Sequence, residues 1–440
     1  MYTNLEELMN SYIMKKNNLS IGVLGLWHLG LVYSVCFAKS GYKVFGFDLD
    51  KDTVNDLNNG NVSIYEPQLT DLFIENLNKN LFISANAKGV IQNKDYIFIT
   101  LDIPVNDRDE INLNLLDKLF DLALKYVSKK TTLVISSQIP IGTTRNFLKR
   151  LGSDFNVIYF PENLRLGSAI NDFLNPARII LGANNDTVVN KFLKDFPIFK
   201  CNILKMSLES AEMLKHALNC YIALNISFSS ELSDLCEALG ADARDVVLGL
   251  KSDPRVSPKA PINPGLGFAG GTLGRDVKTL LKLSKKIKYP AYLLKASYRV
   301  NQNRMSNLIK KIKKIYPKIK GKKIGLLGLT YKPNTNTLRR SQSLDLAKHL
   351  AKEKVELRAF DPVIKNDNFK NIKLFTSFKV FLKNLDLLIL MTEWPEFRDI
   401  NPKLISGFVN QKIIIDTKNY LDQEEYLKHG FKFIGIGQGQ

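Results

Sequence analysis

The chain has 440 residues, 45% of them hydrophobic and 24% charged, which fits a soluble globular protein and excludes a disordered, collagen-like or disulfide-stapled miniature fold. At about 150 residues per domain it holds two or three domains. Its 62 Lys and Arg against 43 Asp and Glu give a formal charge of +19, but lysine is spread along the whole chain. That pattern is compatible with an anionic small substrate, and no nucleic-acid partner is expected.

Residues 1–19 read as an N-terminal extension, with Met14 a candidate start and with Glu6 and Glu7 against a signal peptide. From Ile21 to Ala38 there is no Asp, Glu, Lys or Arg, yet Gly22, Gly25 and Gly30 interrupt the run, and Lys39 and Asp48 follow. A buried strand, a glycine turn and a helix are expected there rather than a membrane span, so no membrane partner is expected. The runs IGVLG (21–25), YKVFGFD (42–48), YIFITL (96–101), TLVISS (132–137) and NVIYF (156–160) alternate with helical patterns. Short runs that are apolar throughout suit a parallel sheet covered on both faces, here over 20–200.

After Pro197 neither Gly nor Pro occurs before Gly240, and Leu214, Ala217, Leu218, Tyr221, Leu224 and Phe228 recur at helical spacing. One long helix is expected, opening a central helical domain over 201–305 that is interrupted by a Pro- and Gly-rich loop at 254–274. A second strand–helix domain occupies 320–440, with strands KKIGLLGL (322–329), VELRAFDP (355–362), LDLLILM (385–391) and KIIIDT (412–417). The linking stretch 310–323 holds eight lysines and no acid, and reads as a solvated helix face. The fold class is therefore α/β, two Rossmann-like doubly wound domains joined by a helical one. Cys36, Cys201, Cys220 and Cys236 show no CxxC spacing, so no metal site is expected and a reducing cytoplasm is the simple reading.

A dinucleotide fold wants G-x-G-x-x-G after its first strand and an acid ending its second. Here Gly25-Leu26-Trp27-His28-Leu29-Gly30 is followed by Asp48. Gly25 suits the tight turn, Gly30 the helix–sheet packing, and Asp48 the ribose hydroxyls, which favours NAD over NADP. Trp27 stands where the middle glycine lets the backbone approach the pyrophosphate; an indole there crowds or redirects the cofactor, or simply packs and partly blocks the loop.

The segments IYEPQL (64–69), SQIPIGTT (137–144), PENLRLGSAINDFLNPARIILG (161–182), AEMLKHALNCYIALNISF (211–228), PGLGFAGGTLGRD (264–276), GLTYKPNTNTLRRS (328–341), FDP (360–362) and MTEWPEF (391–397) are collinear with one family. From Ile21 to Gly437 the chain resembles the UDP-glucose/GDP-mannose dehydrogenases. The resemblance implies NAD-dependent oxidation of a nucleotide sugar's primary alcohol to a carboxylate through a cysteine-bound intermediate. It also implies a dimer built on the long central helix. By position it implies catalytic roles for Lys215, Asn219, Glu162 and Asp276. Lys215 and Asn219, at i and i+4, share a helix face where an ammonium and an amide can hold the reacting oxygen. Substrate contacts fall on Glu162, Lys215, Asn219, Gly265, Phe268 and Lys332, with Arg255 reaching a neighbouring subunit's substrate. Cofactor contacts fall on Gly25, Leu29, Gly30, Asp48, Arg275 and Arg339, and Lys332 and Arg339 close the cleft.

The departures gather around the same chemistry. Thr272 stands where the family has its nucleophilic cysteine. Gln138 replaces a threonine, Leu166 a glutamate, Ile103 a threonine, and Asn336 and Thr337 two acids. An unactivated threonine hydroxyl is a far weaker nucleophile than a thiolate. Cys220 is turned about 100° from the Lys215–Asn219 face and reads as buried packing. Three readings follow: a nucleotide-sugar dehydrogenase that stops at a single oxidation or completes the acid through the aldehyde hydrate; a non-catalytic paralogue that binds NAD and a nucleotide sugar; and a hydroxy-acid dehydrogenase, which the third domain disfavours.

Overall fold

The computed structural model describes residues 19–103, 111–161, 164–365 and 369–439; Met14 and Glu162 lie outside them. The chain forms two compact units, residues 1–217 and 218–440. The first runs β1 (Ser20–Leu24), α1 (His28–Lys39), β2 (Lys43–Phe47), α2 (Lys51–Asn58), α3 (Leu69–Asn76), β3 (Leu81–Ile83), α4 (Ala87–Ile91) and β4 (Tyr96–Ile99). It continues through α5 (Asn114–Tyr126), β5 (Thr132–Ile135), α6 (Thr143–Leu151), β6 (Asn156–Tyr159), α7 (Ala169–Leu174), β7 (Arg178–Ala183), α8 (Asp186–Asp195) and β8 (Asn202–Met206). The 32-residue helix α9 (Leu208–Leu239) begins in this unit and continues into the next.

The strand order is β3-β2-β1-β4-β5-β6-β7-β8. All neighbours are parallel except β6 and β7, which run antiparallel. β4 and β5 are buried at every residue, as apolar runs without alternation require. One face of the sheet is packed by aromatic rings: Phe37 lies 5.0 Å from Phe98, 5.1 Å from Phe173 and 5.2 Å from Phe196, centroid to centroid. The Tyr96 hydroxyl at its margin donates to Asp195 Oδ2 at 2.7 Å, so the ring is buried without stranding its polar end. The long helix starts later than its lack of Gly and Pro suggests, because 202–206 first pairs with β7 as a sheet strand.

The second unit holds α10 (Ala243–Ser252), α11 (Leu273–Lys286), α12 (Tyr292–Ile315), β9 (Lys323–Leu327), α13 (Gln342–Leu350), β10 (Glu356–Phe360), β11 (Lys373–Leu374) and α14 (Phe378–Leu382). It ends with β12 (Leu387–Leu390), α15 (Pro395–Arg398), α16 (Pro402–Ser406), β13 (Ile413–Asp416), α17 (Gln423–Lys428) and β14 (Lys432–Gly435). Its sheet order, β11-β10-β9-β12-β13-β14, repeats the order of the first six strands of the other unit, and every pair is parallel. In each sheet the order reverses beside the first strand, the place where doubly wound folds bind ligands. No helix of the described residues is long and apolar enough to cross a membrane.

Candidate active site

The glycine turn after β1 is built around two backbone approaches. Gly25 has φ +98°, and a Cβ on Gly30 would stand 1.7 Å from the Gly25 carbonyl oxygen, so α1 packs here only without a side chain. The Gly25 N–H donates to Phe47 O at 2.9 Å, tying the turn to the end of β2. Asp48 then accepts the Leu26 N–H at 2.6 Å and the Asp50 N–H at 2.9 Å while staying half-buried. Trp27, at the middle-glycine position, has φ −85°, so its backbone is unstrained, and its side chain is 43% exposed. The indole is thus not a core packing residue; it projects from the turn. Leu29 is buried in the first turn of α1.

The second sheet repeats this turn. Gly328 has φ +89° and donates to Phe360 O at 2.9 Å, and Asp361 accepts from Leu329 N–H at 2.7 Å. Asp361 is buried and also accepts the Thr330, Val363 and Ile364 amides. Saturated by backbone, it is a structural acid, whereas half-buried Asp48 retains the exposure that a ribose-binding carboxylate needs. The residues of the first turn therefore fit a dinucleotide.

Two loops of the first unit are held by buried side chains. Glu66 accepts from the Gly167 and Ala169 amides, each at 2.8 Å, at the start of α7, and meets His28 Nε2 at 2.9 Å. On the first turns of α9, Glu212 accepts from Gly142 N–H at 2.5 Å and Thr144 N–H at 2.8 Å, and His216 Nε2 donates to Ile139 O at 2.8 Å. Burial pushes the Glu212 carboxyl above its ordinary range, against those amide bonds. These contacts fix the segment that carries buried Gln138, and Lys215 is buried on the same helix beside His216 in sequence.

In the second unit, Asn219 Nδ2 donates to Asp276 Oδ2, both buried, and Arg275 Nε lies 4.0 Å from Asp276 Oδ1. Asp276 sits in the first turn of α11, where the helix dipole favours its charge. Thr272 is exposed just before that helix. A Cβ on Gly270 would meet the Tyr331 ring at 2.9 Å, and one on Gly271 would lie 3.3 Å from Arg339 Nε. The 328–341 loop thus lies against the two residues preceding Thr272, and Lys332 Nζ rests 5.7 Å over the Tyr331 ring. Cys220 packs with Phe268 and Val277, and burial, helped by nearby Asp276, pushes its thiol up to about 12. That is the inert packing cysteine expected from sequence.

The loop 265–268 is clamped from outside. Arg304 Nη2 donates to Gly265 O at 3.1 Å and Gln342 Nε2 to Leu266 O at 2.7 Å. Asn301 takes the Phe268 N–H at 2.7 Å and returns a bond to Phe268 O at 3.1 Å. Arg255 is not drawn into this cluster: its guanidinium is 88% exposed and paired with Asp253 at 2.7 Å. Sequence reading missed Glu66, Glu212, Asn301, Arg304 and Gln342; only Glu66 and Glu212 lay in segments already singled out. Among the described residues no group of His, Cys, Asp and Glu is arranged to hold a metal.

Residues 19–196 match the NAD binding domain of the UDP-glucose/GDP-mannose dehydrogenase family, 209–303 its central domain and 325–423 its UDP binding domain. A UDP-glucose 6-dehydrogenase of Rickettsia conorii is 33% identical over 432 residues, covering 95% of this chain and 99% of the relative. UDP-glucose 6-dehydrogenase TuaD of Bacillus subtilis is 29% identical over 429 residues, 95% of this chain and 93% of its own. The solved UDP-glucose dehydrogenase of Pyrobaculum islandicum superposes with TM-score 0.86 at 26% identity, covering 96% of this chain and 98% of that one. With three consecutive family domains matched and relatives aligned along nearly their whole length, this chain belongs to the UDP-glucose/GDP-mannose dehydrogenase family, and it is an NAD-dependent oxidoreductase acting on a CH–OH group of a nucleotide sugar.

Proposed function

We propose that the enzyme oxidises a primary alcohol of a UDP-sugar to the aldehyde with one NAD, and goes no further. The carrying observation is the pair Thr272 and Cys220: the residue before α11 bears only a hydroxyl, and the neighbouring thiol on α9 is buried and held protonated. Neither is a nucleophile near neutrality, so the aldehyde is not converted to a covalent hydride donor. The match of 325–423 to a UDP binding domain supports UDP over GDP.

In this reading Lys215 and Asn219, one turn apart on α9, stabilise the sugar oxygen as its proton leaves. Asp276 orients the Asn219 amide through their hydrogen bond, and Glu162 and Asp276 are the carboxylates available for the proton. NAD would supply the hydride acceptor, and Gly25, Leu29, Gly30, Asp48, Arg275 and Arg339 are the residues that would hold it. Gly265, Phe268, Lys332 and Arg339 hold the nucleotide sugar, and exposed Arg255 serves the site of a second subunit. A homodimer is supported by α9, where Tyr221, Phe228 and Leu235 are 61%, 54% and 54% exposed at seven-residue spacing, with Leu239 at 80%. Such a stripe suits a second copy of the helix. The four free cysteines support a cytoplasmic location.

The test is a screen of UDP-glucose, UDP-N-acetylmannosamine and GDP-mannose with NAD, read by NADH absorbance and product mass. A UDP-sugar should yield NADH and a product two hydrogens lighter, free or hydrated. NADH formation only with GDP-mannose would overturn the substrate reading.

A further inference from the structure

The cofactor turn carries a second unusual residue beside Trp27. His28 opens α1, and its Nε2 lies 2.9 Å from Glu66 Oε2, with the Glu66 side chain fully buried and that of His28 only 9% exposed. Glu66 also accepts two backbone amides, from Gly167 and Ala169 at the start of α7. Three donors thus converge on this carboxylate, and it is out of reach of solvent screening. In a dinucleotide fold the first amides of the helix after β1 face the diphosphate. Here that helix has no acidic residue in its first turn and no side-chain cap from Trp27. Two carboxylates nevertheless approach the turn: Asp48, half-buried and bonded to Leu26, and Glu66, behind His28. A buried carboxylate placed there opposes a bound diphosphate unless a hydrogen-bond donor occupies it.

We infer that His28 shields the cofactor's diphosphate from Glu66. Its ring N–H, given to Glu66 Oε2 at 2.9 Å, takes the carboxylate into a hydrogen bond, so the amides of the turn meet the diphosphate without a bare carboxylate behind them. The edge contact between the Trp27 and His28 rings, 6.1 Å between centroids at 62°, ties the direction of the indole to the same pair. His28 and Glu66 are then positioning residues for cofactor binding, and touch no reacting atom. The pair also joins α1 to the start of α7, which is why the histidine is fixed rather than free to turn away.

The test measures binding alone, by calorimetry and by Trp27 emission, for NAD, ADP-ribose and adenosine. His28→Leu removes the hydrogen bond to Glu66; His28→Gln keeps a donor for Glu66 and preserves the fold should the leucine variant fail. The leucine variant should weaken NAD and ADP-ribose by roughly tenfold or more and leave adenosine, which has no diphosphate, unchanged, and the glutamine variant should recover part of that loss. Adding Glu66→Gln to His28→Leu should bring NAD affinity back to within about threefold of the parent. A double variant that binds NAD no better than the His28 single variant would overturn the inference. So would an adenosine affinity that falls in step with that of NAD.

Discussion

Replacing Asn301 by leucine tests whether the loop 265–268 is held in its binding shape by side chains from outside it. Asn301 supplies both bonds to Phe268, at 2.7 and 3.1 Å, and leucine supplies neither. Each bond contributes about 1 kcal/mol net, so their loss shifts the loop toward its released form by about 2 kcal/mol. At 1.4 kcal/mol per tenfold, that is roughly a 30-fold change in the loop's own equilibrium, which sets an upper bound on the rise in KM for the nucleotide sugar. Arg304 on Gly265 and Gln342 on Leu266 remain, so the fold should survive. The assay is steady-state kinetics beside hydrogen exchange: exchange at the Phe268 amide should speed up and KM for the nucleotide sugar should rise. NAD affinity, which is assigned to residues outside the 265–268 loop, should hold. Asn301→Asp, which keeps the acceptor, should recover part of the loss. Faster exchange at Phe268 with an unchanged KM would refute the link between this loop and the substrate.

Lys215→Ala should lower turnover by roughly 10²-fold or more with the fold intact, measured as NADH formation under saturating substrates. Gly30→Ala places a Cβ 1.7 Å from the Gly25 oxygen, so it should abolish NAD binding by calorimetry and lower the thermal midpoint. Phe37→Ala empties the centre of the aromatic cluster and should destabilise the protein by about 3–5 kcal/mol in urea unfolding. The Cys220 thiol, pushed by burial up to about 12 from an ordinary value of 9.0, keeps its proton in the folded protein where the unfolded chain releases it. Its contribution to stability is therefore intact below pH 9 and declines as pH rises from 9 toward 12. Iodoacetamide at pH 8 should label it only on unfolding.

What was readable in the sequence was local. The turn at Gly25 and Gly30, Asp48 closing β2 and the helix carrying Lys215 and Asn219 all rest on residues close together in the chain, where spacing speaks for geometry. The clamps do not. Glu66 and Gly167 are 101 residues apart, and Asn301 and Phe268 are 33 apart, so no short pattern announces that a side chain completes a distant backbone. The strands β3 and β11, of three and two residues, are too short to show a period, and β8 is only half-buried, so its residues resemble the helix that follows. Trp27 was readable as a departure, but not its outcome: a negative φ and an outward indole follow from the tertiary setting of the turn rather than from the residue.

The central claim, one oxidation because no thiol is available at position 272, is tested most directly by counting NADH per UDP-sugar consumed, with the product identified by mass. The account predicts a ratio of one and an aldehyde or its hydrate, a ratio that Thr272→Cys alone leaves in place because Gln138 and Leu166 also differ from the family pattern. A ratio of two with a uronate-type acid from the unmodified enzyme would contradict it.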